Sequence, residues 1–453
     1  MANVMRAEQT SLSSPGLRSR DRASPWVGAA IVAGMVVAEG ANQGGFWTLG
    51  AEAVTLGSVT VLVMAIVGRR LDTAAMLAVA AVVTLAAWWL IRALDIGQPL
   101  SFFPFGASML GFAAAFSVTR PLNEQWRELS AGVFACLCSV GAVIGFIGLT
   151  LRWYPMAMPS QGLWRLSTTL TYANAAGLLV ALGLLVALGL EPTKVIPRIA
   201  VTVCFAAVIA TQSRGAALGL ICGACVVPMA RYRAQALPLV AGLLVGAVAV
   251  GTSNGSARTP FVAIALVAGC IAAGLVRCTP GFRLPRRLIA PGVVIAAAGC
   301  GVTVFLLRSE IWLRLLDPVS LFDRNPEWSA AWQQIRNFPM TGVGPDRILP
   351  FVGDSQHYAY FAHNEYLQIA ADTGVVGVAL LASAIFLVIR TLRRRDDLSS
   401  CAVGAMIAFA VCGVFDFDWH LPALGILGGW AFGLARGANQ SKAPDISLDL
   451  SST

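Results

Sequence analysis

Apolar and polar positions along the 453-residue chain fall in blocks rather than alternating. Long apolar runs occupy 26–43, 46–68, 72–92, 103–119, 129–151, 170–190, 195–212, 215–230, 235–252, 259–276, 288–307, 364–389, 400–416 and 419–435. Many approach the ~20 residues a helix needs to cross a bilayer core. They are apolar all round, as in buried or lipid-facing helices, and lack the single apolar stripe of a surface helix. The pattern predicts an all-α, polytopic integral membrane protein with about 12–14 transmembrane helices, since short or Gly-rich runs can merge or re-enter. There is no internal repeat, no heptad pattern and no phosphate-cradling Gly loop, and Gly-rich runs such as Gly215–Gly223 predict close helix packing.

One stretch breaks the pattern. From Arg308 to Ala362 the chain turns to Arg, Asp, Trp, Asn and His, then re-enters an apolar run directly after His363. The organisation expected is a disordered basic tail over 1–25, transmembrane helices over 26–307, a large extracytoplasmic loop carrying the chemistry over 308–363, C-terminal transmembrane helices over 364–436 and a second tail over 437–453. The first tail is rich in Ser and Arg without an apolar centre, unlike a cleaved signal peptide.

Composition agrees with the blocks. Hydrophobic residues make up 57% of the chain and charged ones 12%, with a mean hydropathy of +0.73, against roughly 25% charge in soluble domains. A formal charge of +9 would otherwise suggest nucleic acid, but the basic residues sit in short loops between apolar runs, which is the topology signal of membrane proteins. With a cytoplasmic N-terminus, most of the 32 Lys and Arg residues fall on the inner side, at least two in every inner loop. The polar loop and all three histidines (His357, His363 and His420) then lie outside. The ten cysteines lie mostly within apolar runs, where Cys packs as a small hydrophobe. Cys222 and Cys225 form a lone C-x-x-C without a second pair or a nearby His, and the polar loop has no cysteine to bridge.

A few polar residues stand out. Arg214, in T-Q-S-R-G-A, occupies a tight outer turn where it either snorkels to water or binds an anion such as phosphate. Arg324 lies in S-L-F-D-R-N-P-E-W-S-A-A-W, where Ser320, Arg324, Trp328 and Trp332 recur every fourth residue, and it can equally pair with Asp323 or Glu327 on a solvated surface. His363 opens H-N-E-Y-L-Q at the water-to-membrane transition. It is either an interfacial cap or a proton-transfer group oriented by Asn364 and Glu365. His420, in D-F-D-W-H, is a second candidate, with Asp416 and Asp418 beside it either orienting or solvated. Arg165, Tyr172 and Asn174 stand at the outer mouth of the run that follows them, where Asn174 either lines a cavity or caps a helix.

Four stretches taken together resemble the O-antigen ligase and polymerase family of polytopic membrane proteins. They are R-L-S-T-T-L-T-Y-A-N-A-A-G, S-R-G-A-A-L-G, S-x-x-x-R-x-x-x-W followed by P-x-x-G-V-G-P, and H-N-E-Y-L-Q-I-A-A-D-T-G-V-V-G. They span Arg165 to Gly377 in the family's order and spacing. Tyr-Ala-Asn at 172–174 replaces the Pro-Asn pair often found there, which leaves the role of Asn174 open. The resemblance implies transfer of a glycan from an undecaprenyl-diphosphate carrier to an acceptor hydroxyl at the outer face of the inner membrane. Arg214 and Arg324 would bind the diphosphate and His363 would act as base, with Arg165, Asn174, Asn364 and Glu365 in support. No metal or other cofactor is implied. The partners are the lipid-linked glycan, a glycan or lipid acceptor and the bilayer. A polymerase of lipid-linked repeat units shares the same donor chemistry. A transporter or flippase of lipid-linked glycan is the non-enzymatic alternative, although the sequence shows no symmetry of the kind that inverted repeats and broken helices give transporters, and its polar residues concentrate on one face.

Overall fold

The computed structural model describes residues 25–45, 48–68, 71–103, 105–160, 162–254, 258, 260–275, 324–345, 361–392 and 396–435. The expectations for the basic tail, the run 288–307, the loop segments 308–323 and 346–360 (with Ser320 and His357) and the C-terminal tail lie outside the described residues.

Every other predicted run is helical. The first half of the chain gives α1 (Pro25–Ala41), α2 (Thr48–Val67), α3 (Thr73–Asp95), α4 (Phe105–Thr119), α5 (Glu124–Leu151), α6 (Ala173–Gly189) and α7 (Val195–Thr211). There follow α8 (Arg214–Ala224), α9 (Met229–Ala234), α10 (Ala236–Gly251) and α11 (Phe261–Leu275). The last part gives α12 (Asn325–Asn337), α13 (Glu365–Arg390), α14 (Asp397–Cys412) and α15 (Pro422–Gly433). Between α5 and α6 the chain adds an antiparallel hairpin to the helical architecture expected, pairing β1 (Ala157–Ser160) with β2 (Leu163–Leu166).

Among the described residues, four helices are long and apolar enough to cross a bilayer: Leu49–Val67, Thr73–Asp95, Glu124–Leu151 and Glu365–Arg390. The other apolar helices described have 10–17 residues. The predicted run 215–230 shows why runs and helices differ. Pro228 breaks it, so α8 has only 11 residues and spans about 16 Å of a ~30 Å core. The chain is a mainly helical, multi-pass membrane protein.

Small residues set the packing, as expected where helices associate without a hydrophobic driving force. Gly425, Gly429 and Gly433 run along the face of α15 that lies on α4, where Ser108, the Phe112 carbonyl and Thr119 leave no room for a side chain. Gly219 and Gly223 do the same for α8 against Ala408 and Gly404 of α14. α13 lies along α3.

A polar clasp closes the bundle at the end where α5, α14 and the last turn of α15 meet. Arg127, 1% exposed, donates to Asp396 at 2.7 and 3.0 Å, to Ser399 at 2.9 Å and to the Leu434 carbonyl at 2.7 Å. Asp396 also caps α14, accepting from the Ser399 amide at 2.7 Å. Burial raises the pKa of Asp396, but the Arg127 and Ser399 hydrogen bonds and the Arg127 charge outweigh it, and the net shift is downward.

Candidate functional site

At the opposite end α6, α8, α12, α13 and α15 begin, and α7 and α14 finish. Helix N-termini carry unpaired amides and partial positive charge, so an end where several of them meet favours anions. The predicted polar residues gather here.

Arg324 occupies the N-cap position of α12 and donates from Nη1 to the Phe415 carbonyl, just past the end of α14. Its Nη2 lies 3.9 Å from Oδ2 of Asp416. Asp416 is 3% exposed and accepts from the Tyr172 hydroxyl at 2.8 Å and from Asn174 Nδ2 at 2.5 Å. Arg165, on β2, joins the same network by donating to Asn174 Oδ1 at 2.7 Å and to the Thr211 carbonyl at 2.8 Å. The C-terminus of α7, the N-terminus of α6 and α12 are thus linked through one buried carboxylate. Arg214 is the first residue of α8, solvent-exposed, with Ser213 as cap accepting from the Ala216 amide at 3.3 Å. Its neighbour Gly215 abuts Phe415, whose Cβ would lie 3.3 Å from an added Cβ. Phe415 thus meets Arg324 through its carbonyl and the start of α8, next to Arg214, through its side chain.

His363 has a left-handed backbone, φ 46, uncommon for a non-Gly residue although His is among those that tolerate it. Its Nδ1 lies 2.8 Å from Oε2 of Glu327, one turn along α12 from Arg324. The ring meets Phe417 edge-on, with centroids 5.2 Å apart. Phe417 in turn stacks between Tyr172 (5.2 Å) and Phe361 (4.5 Å).

The residues expected to orient His363 do other work. Asn364 caps α13, accepting from the Leu367 amide at 3.0 Å. Glu365 is fully buried, accepts from the Trp419 amide, and places Oε2 3.0 Å from His420 Nδ1, though not in hydrogen-bonding alignment. The left-handed turn at His363 sends the imidazole and the Glu365 carboxylate to different neighbours. His420 is 3% exposed and enclosed by Trp89, Phe105 and Phe361, out of reach of a substrate hydroxyl. Asp418 is buried too, with Oδ1 lacking a hydrogen-bond partner. Burial, with Asp416 and Glu365 adding like charge, pushes its carboxyl well above the usual range despite Arg324 nearby.

The T-G-V-G stretch positions α12. The amides of Val343 and Gly344 donate to Ala371 and Asp372 carbonyls at 2.9 Å each, and the Val375 amide donates back to Pro339 at 2.8 Å. This docking uses the kink of α13 at Gly374 (φ 65) and the left-handed Gly342 (φ 68), whose Cα faces the Asp372 backbone too closely for a side chain. From α3, Arg92 donates to the Gly342 carbonyl at 3.2 Å and Trp88 to Thr373 at 3.3 Å. The two glycine motifs are thus the two halves of one joint.

In the sequence Glu327 is, with Asp323, one possible surface partner of Arg324, and Asp416 stays open between orienting and solvated. The clue to Glu327 was its i,i+3 spacing from Arg324; that to Asp416 was a carboxylate directly past an apolar run. Among the described residues no group of three His, Cys, Asp or Glu side chains is placed to hold a metal ion.

No curated protein matches the chain. A family model described as O-Antigen ligase matches residues 254–382, covering α11, α12, His363, the glycine joint and much of α13. Arg165, Asn174, Arg214 and Asp416 lie outside the matched stretch. Over the segment that brings Arg324 and His363 to one end of a multi-pass helical bundle, the chain is similar to the O-antigen ligase family.

Proposed function

We propose that the protein is a membrane glycosyltransferase of the O-antigen ligase type. It moves a glycan from an undecaprenyl-diphosphate carrier to an acceptor hydroxyl at the outer face of the inner membrane, within a bundle of 12–14 spans. The observation that carries this reading is that α12 holds Arg324 and the partner of His363 on one turn, so an anion anchor and a base share one site. The sidedness rests on the excess of Lys and Arg in alternate loops.

Diphosphate is a competent leaving group, and the protein's task is to neutralise the charge it gains. Arg324 and Arg214 supply fixed cations, which are worth more in a partly dry site than in water. His363 takes the acceptor proton. Asp416, with Tyr172 and Asn174, holds Arg324 in place. An apolar cleft of ≈ 490 Å³ between α13 and α14 supports a lipid donor. Tyr366 and Trp419 line its site end and Leu392 its far end.

Deleting the gene and analysing surface and lipid-linked glycan tests the reading. Long polymer accumulating on the carrier is the expected result. Repeat units reaching the anchor unextended would make the protein a polymerase, units trapped on the cytoplasmic face a transporter, and unchanged glycan would sink the proposal. His363→Ala should abolish transfer while retaining donor binding.

A further inference from the structure

Glu327 is explained neither by diphosphate binding nor by helix packing. It lies in the first turn of α12 with its side chain 13% exposed and Oε2 2.8 Å from His363 Nδ1. A carboxylate in a first helical turn is favoured by the helix dipole whatever it touches. The contact with His363 is the specific feature. A carboxylate only accepts hydrogen bonds, so Nδ1 carries the hydrogen and, in the neutral ring, Nε2 keeps its lone pair. The ring is further held by the left-handed backbone at residue 363 and by the edge contact with Phe417. Glu327 on α12, Phe417 beyond α14 and the turn entering α13 thus restrain one imidazole. His363 is 28% exposed, so the ring is still reachable.

We propose that Glu327 is a positioning residue that fixes His363 as the Nδ1–H tautomer and presents Nε2 to the acceptor hydroxyl. This rests on the reading of His363 as the base. In the transfer step the acceptor O–H proton moves to Nε2, and the freed oxygen pair forms the bond to the anomeric carbon. The bond from that carbon to the diphosphate oxygen breaks, its electron pair remaining on the diphosphate. The imidazolium so formed faces the Glu327 carboxylate, which stabilises it until the proton passes to solvent. Because Arg324 and Glu327 share one turn, the docking of α12 delivers the phosphate anchor and the histidine's partner together. A glutamate that merely capped α12 would do neither.

The test uses full-length protein in lipid nanodiscs, labelled with ¹⁵N-histidine. His363→Gln identifies the His363 signals among the three histidines. The wild type should show a single Nδ1–H tautomer at His363, and Glu327→Ala a mixture of both. Glu327→Gln, close in shape and able to accept, should keep the tautomer while lacking the charge that steadies the imidazolium. Its kcat for transfer should fall about tenfold, and that of Glu327→Ala about a hundredfold, each with KM for the lipid-linked donor unchanged, in keeping with general-base contributions. Glu327→Asp should restore part of the loss. A tautomer signal unaltered in Glu327→Ala, in protein whose other two histidine signals are intact, would overturn the inference. A changed signal with undiminished transfer would instead remove His363 from the base role and leave the Glu327–His363 contact standing, so the two failures are distinguishable.

Discussion

Arg324 is held between two oxygen partners, the Phe415 carbonyl and Asp416. A planar fork is suited to such a setting and to a diphosphate, and a lysine is not. Arg324→Lys is therefore expected to raise the donor KM about tenfold with a smaller effect on kcat, the loss being mainly one of bidentate binding. Donor titration in nanodiscs measures it, and an unchanged KM would count against Arg324 as anchor. Asp418 makes a separate prediction. Its folded pKa is raised by burial and by Asp416 and Glu365. The native state thus keeps a proton that the unfolded chain loses above about pH 4. Stability falls as pH rises through that window toward the raised value. Asp418→Asn should remove this penalty, so its thermal midpoint should exceed the wild type's by a margin that grows with pH. A constant margin would refute the assignment.

Among the elements, α12 depends on the glycine joint more than on its own burial, since only Ala330 and Ala331 of the helix are buried. Gly342→Ala adds a side chain where φ is 68 and the Asp372 backbone leaves no space. A cost of about 2 kcal/mol or more is expected from strain and overpacking. Because the joint sets α12, donor binding and turnover should fall together in this variant, whereas Gly97→Ala, at a left-handed glycine with open space around it, should affect stability alone. The helices were legible from apolar runs because uniform apolarity over that length has few other meanings. Their ends were less so: Pro228 and the Ser213 cap divide what hydropathy joins. The hairpin 157–166 gave no sequence signal that distinguishes it from a loop, its register being set by contacts such as the Trp164 amide to the Ser253 carbonyl at 2.9 Å. Arg324 and His363 could be singled out because cations and imidazoles are costly near a bilayer. Their partners could not, because pairing depends on which way the turn at residue 363 sends its neighbours.

Across the whole molecule, the two polar ends do different things. The Arg127 clasp fastens α5, α14 and α15, while the other end gathers several helix N-termini near Asp416 and His363. Asp396 has a lowered folded pKa, so its contribution is complete above the ordinary aspartate range, about pH 4, and is lost as pH drops through the lowered value. Arg127→Met should lower the thermal midpoint at neutral pH, and the gap to wild type should close under acid; a gap that persists there would assign the effect to packing instead.

Asp416 also gives the donor a rival. Arg324 faces a tethered carboxylate 3.9 Å away, so an incoming diphosphate exchanges one anion for another rather than meeting a bare cation. A ligand with a single negative charge gains little from that exchange, whereas one with several can win it. On the proposed reading, once the glycan has left, the same carboxylate would be at hand to reclaim the guanidinium, and the spent carrier would depart against a competitor that never diffuses away.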